Sequence, residues 1–236
     1  MPDIIETVSS RRAIGLIVPS SNRVVERVAG RILAGYPDID CCIARVPYGG
    51  IVSADRAPRY NGKPFETAAA LLADAGVAVI CWNATRGVVL GLDADRELCR
   101  RIEDETGIPA VTTSLATVEM LLATNRRVGL ITQGDEAESL HILGQFRAQG
   151  CAIVDHLWLG IADNLGAAAI SGDTLLMRAR ALAERTALDT VLVWSTNLSG
   201  HEARLSQAEA PGFTILDSAA IGIDAALERI GNEGRI

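Results

Sequence analysis

Val79-Ile80-Cys81-Trp82-Asn83-Ala84-Thr85-Arg86-Gly87 and Leu192-Val193-Trp194-Ser195-Thr196-Asn197-Leu198-Ser199-Gly200 read as two versions of one phrase. In each, an aliphatic run reaches a tryptophan and breaks at once into small polar residues and a glycine. The run has the length and content of a strand buried on both faces, and the polar burst is the loop leaving its end. Aligning Trp82 with Trp194, an offset of 112 residues, sets Asn83 beside Ser195.

Two further echoes fall in the same order. Ala13-Ile14-Gly15-Leu16-Ile17 returns as Arg127-Val128-Gly129-Leu130-Ile131, offset 114. Pro109-Ala110-Val111-Thr112-Thr113-Ser114 returns, more weakly, as Phe213-Thr214-Ile215-Leu216-Asp217-Ser218. Three echoes at similar offsets indicate an internal duplication. A chain of 236 residues accommodates two such lobes, each large enough for its own core. The lobes are expected over residues 12–117 and 118–217, with residues 218–236 forming a C-terminal helix and tail that pack back on the first lobe.

With 49% hydrophobic but only 4% aromatic residues, the core must be built of Ala, Val, Leu and Ile, which suits helices packed on parallel strands. A net charge of −7 without a basic stripe leaves no footprint for nucleic acid or an anionic membrane. No apolar run approaches the roughly 18–20 residues of a membrane span. The acidic N-terminus, with Asp3 and Glu6, does not read as a signal peptide. Five cysteines without a CxxC pair suit reduced thiols in a cytoplasmic protein, and three scattered histidines suit no zinc site.

In chain order, strands are expected at Ala13–Val18, Cys41–Val46, Val77–Trp82, Pro109–Thr113, Arg127–Thr132, Cys151–Leu157, Thr190–Trp194 and Thr214–Leu216. Helices fill most of the intervals, among them Asp93–Thr106 with Asp93 as its N-cap. Pro47–Pro64 is the longest irregular stretch. It contains Tyr48, Gly49, Gly50, Arg56, Arg59, Tyr60 and Lys63, and a loop of that length reads as a lid. Strands separated by helices of this length form parallel sheets with right-handed crossovers. The expected fold is α/β: two pseudo-symmetric, doubly wound parallel-sheet lobes with the site in the cleft between them.

Ligands of open parallel sheets bind at the carboxyl ends of the strands. The polar residues found there are Ser20, Ser21 and Asn22; Asn83 and Thr85; Thr113 and Ser114; Thr132; Asn164; and Ser195, Thr196 and Asn197. Nearly all are uncharged. Amides, hydroxyls and helix N-termini hold a carboxylate without a cationic side chain, so the pattern points to a small anionic ligand. Taken singly, each such residue is as readily explained as a helix cap; their repetition at strand ends singles them out. Arg23 and Arg86 follow strand-end motifs and are candidates for a second anionic group, or else ordinary surface arginines.

Ile14-Gly15-Leu16-Ile17-Val18-Pro19-Ser20-Ser21-Asn22, with Glu26 after it, resembles the opening motif of maleate cis–trans isomerases. Those belong, with arylmalonate decarboxylases, to the aspartate/glutamate racemase superfamily. The resemblance extends through Ala110–Ser114, the Gly160…Asp163-Asn164 segment and Thr196-Asn197-Leu198. It implies a cofactor-free enzyme acting on a small mono- or dicarboxylate between two lobes, with cysteines at their interface. Asn22 and Asn164 correspond to the family's carboxylate-binding asparagines. Thr196 and Asn197 correspond to the two residues after the second catalytic cysteine. The two cysteine positions themselves fall on Asn83 and Ser195, and a substrate-binding tyrosine is missing near Gln133-Gly134.

A thiol is tuned to a thiolate near neutral pH, a serine needs a neighbouring base, and an asparagine does no acid–base work. Two-thiol racemisation is therefore closed to these positions. Three readings stay open: a diverged enzyme, with Cys81 or a Ser195–His201 pair as the reactive group; a protein whose native cysteine has been replaced by Ser195; and a non-catalytic carboxylate binder. The expected activity is isomerisation or proton transfer on a small (di)carboxylate, with decarboxylation or Ser195-assisted hydrolysis as the alternative. The site would comprise Asn83 and Ser195 flanking the reacting carbon and Ser20, Asn22, Thr85, Arg86, Thr132, Asn164, Thr196 and Asn197 binding substrate, with His201 as a possible base. Neither metal nor cofactor is called for, nor a nucleic-acid or membrane partner, and a homo-oligomer is expected.

Overall fold

The computed structural model describes residues 11–47, 63–124, 126–207 and 212–232. The body of the expected lid, Tyr48 to Gly62, lies outside the described residues. The chain runs β1 (Arg12–Pro19), α1 (Val25–Leu33), β2 (Ile39–Val46), α2 (Lys63–Asp74), β3 (Val79–Trp82), α3 (Arg86–Leu90), α4 (Leu92–Thr106), β4 (Ala110–Thr112) and α5 (Thr113–Thr124). It continues β5 (Val128–Thr132), α6 (Glu136–Ala148), β6 (Ile153–Trp158), α7 (Asn164–Ala168), α8 (Gly172–Arg185), β7 (Thr190–Trp194), α9 (Gly200–Ser206), β8 (Thr214–Asp217) and α10 (Ser218–Asn232).

The strands form two four-stranded sheets, ordered β2-β1-β3-β4 and β6-β5-β7-β8, with every pairing parallel. The second order repeats the first strand for strand, as a duplication requires. The central strands β3 and β7 are buried along their whole length, because helices cover both faces of each sheet.

The two units exchange their last helices. Helix α5 leaves β4 but places Val118 and Leu121 in the core of the second sheet, with Leu130, Phe146 and Trp194. Helix α10 leaves β8 but lays Ala219, Ala220, Ile223, Ala226 and Ile230 on the first sheet, against Ile14, Leu16 and Val79. Each sheet is thus covered in part by a helix from the other half, which ties the two units together.

Strand register corrects one expectation. Gly15 and Gly129 match in surroundings: a Cβ at either would meet leucines of the helix behind, Leu72 on α2 or Leu182 on α8. Gly15 pairs with Ile80, and Gly129 with Val191. Counting forward from there, Trp82 corresponds to Val193, Asn83 to Trp194 and Ala84 to Ser195. The true offset in this segment is one residue less than the tryptophans suggest. The two indoles face opposite sides of their sheets: Trp82 meets Phe65 of α2 edge-on at 4.9 Å, and Trp194 meets Phe146 of α6 edge-on at 4.8 Å. Each fills a gap at a strand end, but side chains alternate, so a one-residue difference puts them on opposite faces.

Three local features also differ from expectation. Short helices α3 and α7 stand where loops were expected. Helix α4 starts after Gly91, which has φ 94°, and Asp93 lies inside it, paired with Arg96 rather than capping.

Gly222 of α10 sits where a Cβ would overlap Thr113 Oγ1 and come within 2.7 Å of Asn83 Nδ2. Gly222→Ala should push α10 off the first sheet and cost roughly 1–3 kcal/mol. Gly144→Ala on α6, where a Cβ meets nothing within 4 Å, should instead gain about 0.5–1 kcal/mol. Urea denaturation of the two variants checks both signs.

Candidate active site

The loops after β1 and β7 meet at Asn22. Its Oδ1 accepts from the backbone N–H of Val24 and Val25, at 2.9 and 3.0 Å, starting α1. Its Nδ2 donates to the other unit, to the carbonyl oxygen and Oγ1 of Thr196, at 3.0 and 3.1 Å. From behind, Arg45 Nη1 donates to the carbonyls of Ser20 and Asn22. The side chain of Asn22 is thus fully engaged within the protein and fixes where Thr196 stands.

A second bridge runs through Ser195. Its Oγ donates to Gln133 Oε1 at 2.8 Å and accepts from the Asn197 N–H at 3.2 Å. Gln133 Nε2 donates to Asn164 Oδ1 at 3.3 Å, and Asn164 Nδ2 donates to Ser21 Oγ at 2.7 Å. Four neutral side chains from the loops after β1, β5, β6 and β7 therefore form one chain of hydrogen bonds spanning both lobes. Gln133 was not among the expected site residues and Ser21 was named only as a strand-end polar residue; their positions one and two residues past a strand end were the available signal.

Asn83 takes a different place. It is fully buried, its Nδ2 donates to the Ala219 carbonyl of α10 at 2.9 Å, and Gly222 packs beside it. The residue equivalent to Ser195 by register is Ala84, 3% exposed and packed in the core of the first sheet. Thr85 follows at the N-cap of α3 with its hydroxyl unused in capping. Arg86 Nη1 then reaches across to Glu138 of α6, 3.7 Å away.

Of the remaining candidates, Thr132 and Asn197 each keep a buried oxygen, Oγ1 and Oδ1, without a partner. Ser20 and Arg23 are exposed. His201 is buried at the start of α9, its Nδ1 unpartnered, and it takes no part in the hydrogen bonds of Ser195. Burial, together with nearby Arg204 and Arg31, lowers its pKa, so the ring is neutral at pH 7. Desolvation raises the thiol of fully buried Cys81, which donates to the Gly222 carbonyl. Desolvation likewise pushes Cys41 and Cys151 up to about 11 and Cys99 to about 12. None of these four thiols is poised as a thiolate. Among the described residues no cluster of His, Cys, Asp and Glu is placed to hold a metal.

A buried carboxylate lies under the Ser195 loop. Asp217, at the end of β8, accepts from the Ala220 N–H at 2.8 Å, and Gly200 leaves it room where a Cβ would strike Oδ2 at 2.5 Å. In the first lobe the equivalent position, by register, is Thr112, whose hydroxyl donates to the buried carboxylate of Asp95, and there Gly87 makes the room. Each lobe thus sets a carboxylate against the first turn of the helix after its central strand, from different residues.

Residues 14–236 match the family model described as arylmalonate decarboxylase, and the chain belongs to that family. Among solved structures, it resembles the maleate isomerase Iso from Pseudomonas putida S16, with a TM-score of 0.82 at 20% identity over 93% of each chain. It also resembles a cysteine-to-serine variant of the Nocardia farcinica maleate cis–trans isomerase carrying a covalently bound succinylcysteine intermediate (TM-score 0.75, 22% identity, 93% of each chain). A liganded arylmalonate decarboxylase with a glycine-to-cysteine and a cysteine-to-serine change matches at TM-score 0.73 and 21% identity, again over 93% of each chain. These establish a shared two-lobed α/β fold. No curated protein is a significant sequence match. No described helix is long and apolar enough to cross a membrane.

Burial pushes the Asp217 carboxyl up to about 7, against the pull of the Ala220, His201 and Ala219 amides and of Arg204. The folded chain therefore keeps a proton that the unfolded chain, with an ordinary carboxyl pKa of about 3.9, has already lost. Stability from this group should be fully present below about pH 4, fall as pH rises toward 7 and then level. Asp217→Asn should flatten that slope in thermal melts taken across the window.

Proposed function

We propose that the chain is a cofactor-independent enzyme that carries a small carboxylic acid through an enediolate held in the cleft between the two sheets. The observation carrying this reading is the register match of Ala84 with Ser195. At this position the second unit carries a hydroxyl and the first a methyl group. Gln133 and Asn164 join Ser195 in one chain of neutral hydrogen-bonding groups, and Asn22 positions the neighbouring Thr196. Neutral donors aimed at developing negative charge on oxygen are the means by which a buried site stabilises an enediolate.

Isomerisation by proton transfer and decarboxylation both pass through that species. Removing a proton from one face and returning it at the other needs a basic group on each side, and Ala84 supplies none. Loss of CO2 leaves its bonding electrons as the enediolate, which then needs a single proton at carbon. In this reading Ser195, which now donates to Gln133, delivers that proton, and the Asn197 N–H that it accepts from stabilises the resulting alkoxide until solvent restores its proton. Decarboxylation of a malonate-type acid is accordingly the favoured reaction, and isomerisation of a small dicarboxylate is the second. Ser195-assisted hydrolysis has less support, because the serine donates to an amide oxygen and His201 is not its partner.

Incubation with malonate-type acids, maleate and simple monoacids in D2O, followed by NMR, separates these outcomes. The expected result is loss of one carboxyl with a single deuteron gained at the adjacent carbon. New vinyl signals would instead mean cis–trans exchange. Binding without any change would make the chain a carboxylate binder and end the enzymatic reading. Ser195→Ala should lower turnover by roughly 10²-fold or more, the usual scale for losing a proton-transfer group. Ser195→Cys should keep or raise it, since a thiol gives up its proton more readily.

A further inference from the structure

We propose that Arg86 is the subsite for a second carboxylate, and that Glu138 occupies it until a dicarboxylate arrives; this rests on the reading of the cleft as a carboxylate site. Arg86 is the first residue of α3, directly after Thr85, and comes from the first lobe. Glu138 is in the first turn of α6, in the second lobe, and the two meet at 3.7 Å. The glutamate folds back onto the chain: its carboxylate lies against Gly134, where any Cβ would overlap it. Gly134 follows Gln133, which accepts the hydroxyl of Ser195. The ion pair thus stands one residue beyond the hydrogen-bonded chain that runs through the cleft.

Its place is one-sided. The duplicated loop, Ser195 to Gly200, carries no charged residue, so the guanidinium has no counterpart there. The other candidate contacts (Thr85, Gln133, Asn164, Ser195, Thr196 and Asn197) are neutral. A cleft with one cationic end and one neutral end suits a diacid bound in a single direction. Both partners are mostly shielded, with side chains 18% and 30% exposed. A guanidinium in such a setting pairs strongly with a carboxylate, and an incoming one can take the place of the glutamate without leaving Arg86 unpaired. The carboxylate held there is the one retained in the reaction, because an ion pair on a departing carboxylate would hold its charge in place.

Calorimetric titration of the intact protein with malonate, maleate and succinate, set against acetate and butyrate, tests this. At least one diacid should bind roughly tenfold or more tightly than the monoacids, the scale of one shielded charge-assisted contact. Arg86→Gln should abolish that preference and leave monoacid affinity within about twofold. Glu138→Gln, which removes the competing carboxylate, should tighten diacid binding several-fold. Equal losses for both ligand classes in Arg86→Gln, or weaker diacid binding in Glu138→Gln, would overturn the subsite while leaving the carboxylate cleft intact. If no acid of either class binds the unaltered protein, the cleft reading falls and the subsite with it. Should Arg86→Gln fail to fold, the Glu138→Gln titration decides alone.

Discussion

Everything at the cleft hangs on the side-chain amide of Asn22. Its oxygen starts α1 and its nitrogen ends on Thr196 of the opposite lobe, so one planar group ties the exit of β1 to the exit of β7. A buried amide with both ends satisfied is rigid, since leaving either end unmade would cost the desolvation of that group. The rigidity passes to Thr196, whose hydroxyl accepts from Asn22. It passes also to Ser195, the preceding residue, and through Gln133 and Asn164 back to Ser21 on the first lobe. The exchanged helices α5 and α10 provide the larger scaffold, each closing the core of the other unit's sheet.

Duplication produced two matching frames, and the side chains within them have diverged. Ala84 corresponds to Ser195 and Asn83 to Trp194, and Arg86 has no charged counterpart in the loop after β7. The buried carboxylate beneath each central loop comes from Asp95 in one unit and Asp217 in the other, and a glycine makes room for each. What the two halves keep in common is geometric: strand order, and a glycine in the first turn of the helix after the central strand. The chemical groups are distributed unequally, and a site that must deliver one proton to one face, or orient a diacid by its charge, needs that inequality.

Much of this was legible in the residues. Aliphatic runs broken by Ser, Thr, Asn and Gly located the eight strands, because a strand buried on both faces leaves little choice of composition. The repeat of Gly15 in Gly129 was a sound landmark, since both glycines answer to the same need for close helix packing. The repeat of Trp82 in Trp194 was a poor one: a large ring fills whatever gap a strand end offers, on either face, and the resulting one-residue slip aligned Asn83, rather than Ala84, with Ser195. An alanine carries no chemical signal of its own; only register gives it meaning. Gln133 was overlooked for a related reason, as its role depends on reaching Ser195, which lies 62 residues further along the chain. The short helices α3 and α7, five residues each, are held by tertiary contacts and lack the length that periodicity needs.

The central claim is that a small acid sits between Ala84 and Ser195, held by neutral groups that now bond to one another. A crystal structure of the protein with malonate tests it most directly. The account predicts a carboxylate within hydrogen-bonding distance of Ser195 and Thr196, the Ser195–Gln133 bond opened, and the central carbon of malonate facing the methyl group of Ala84. Malonate bound outside the cleft, or seated against Asn83 with Ala84 turned away, would contradict it.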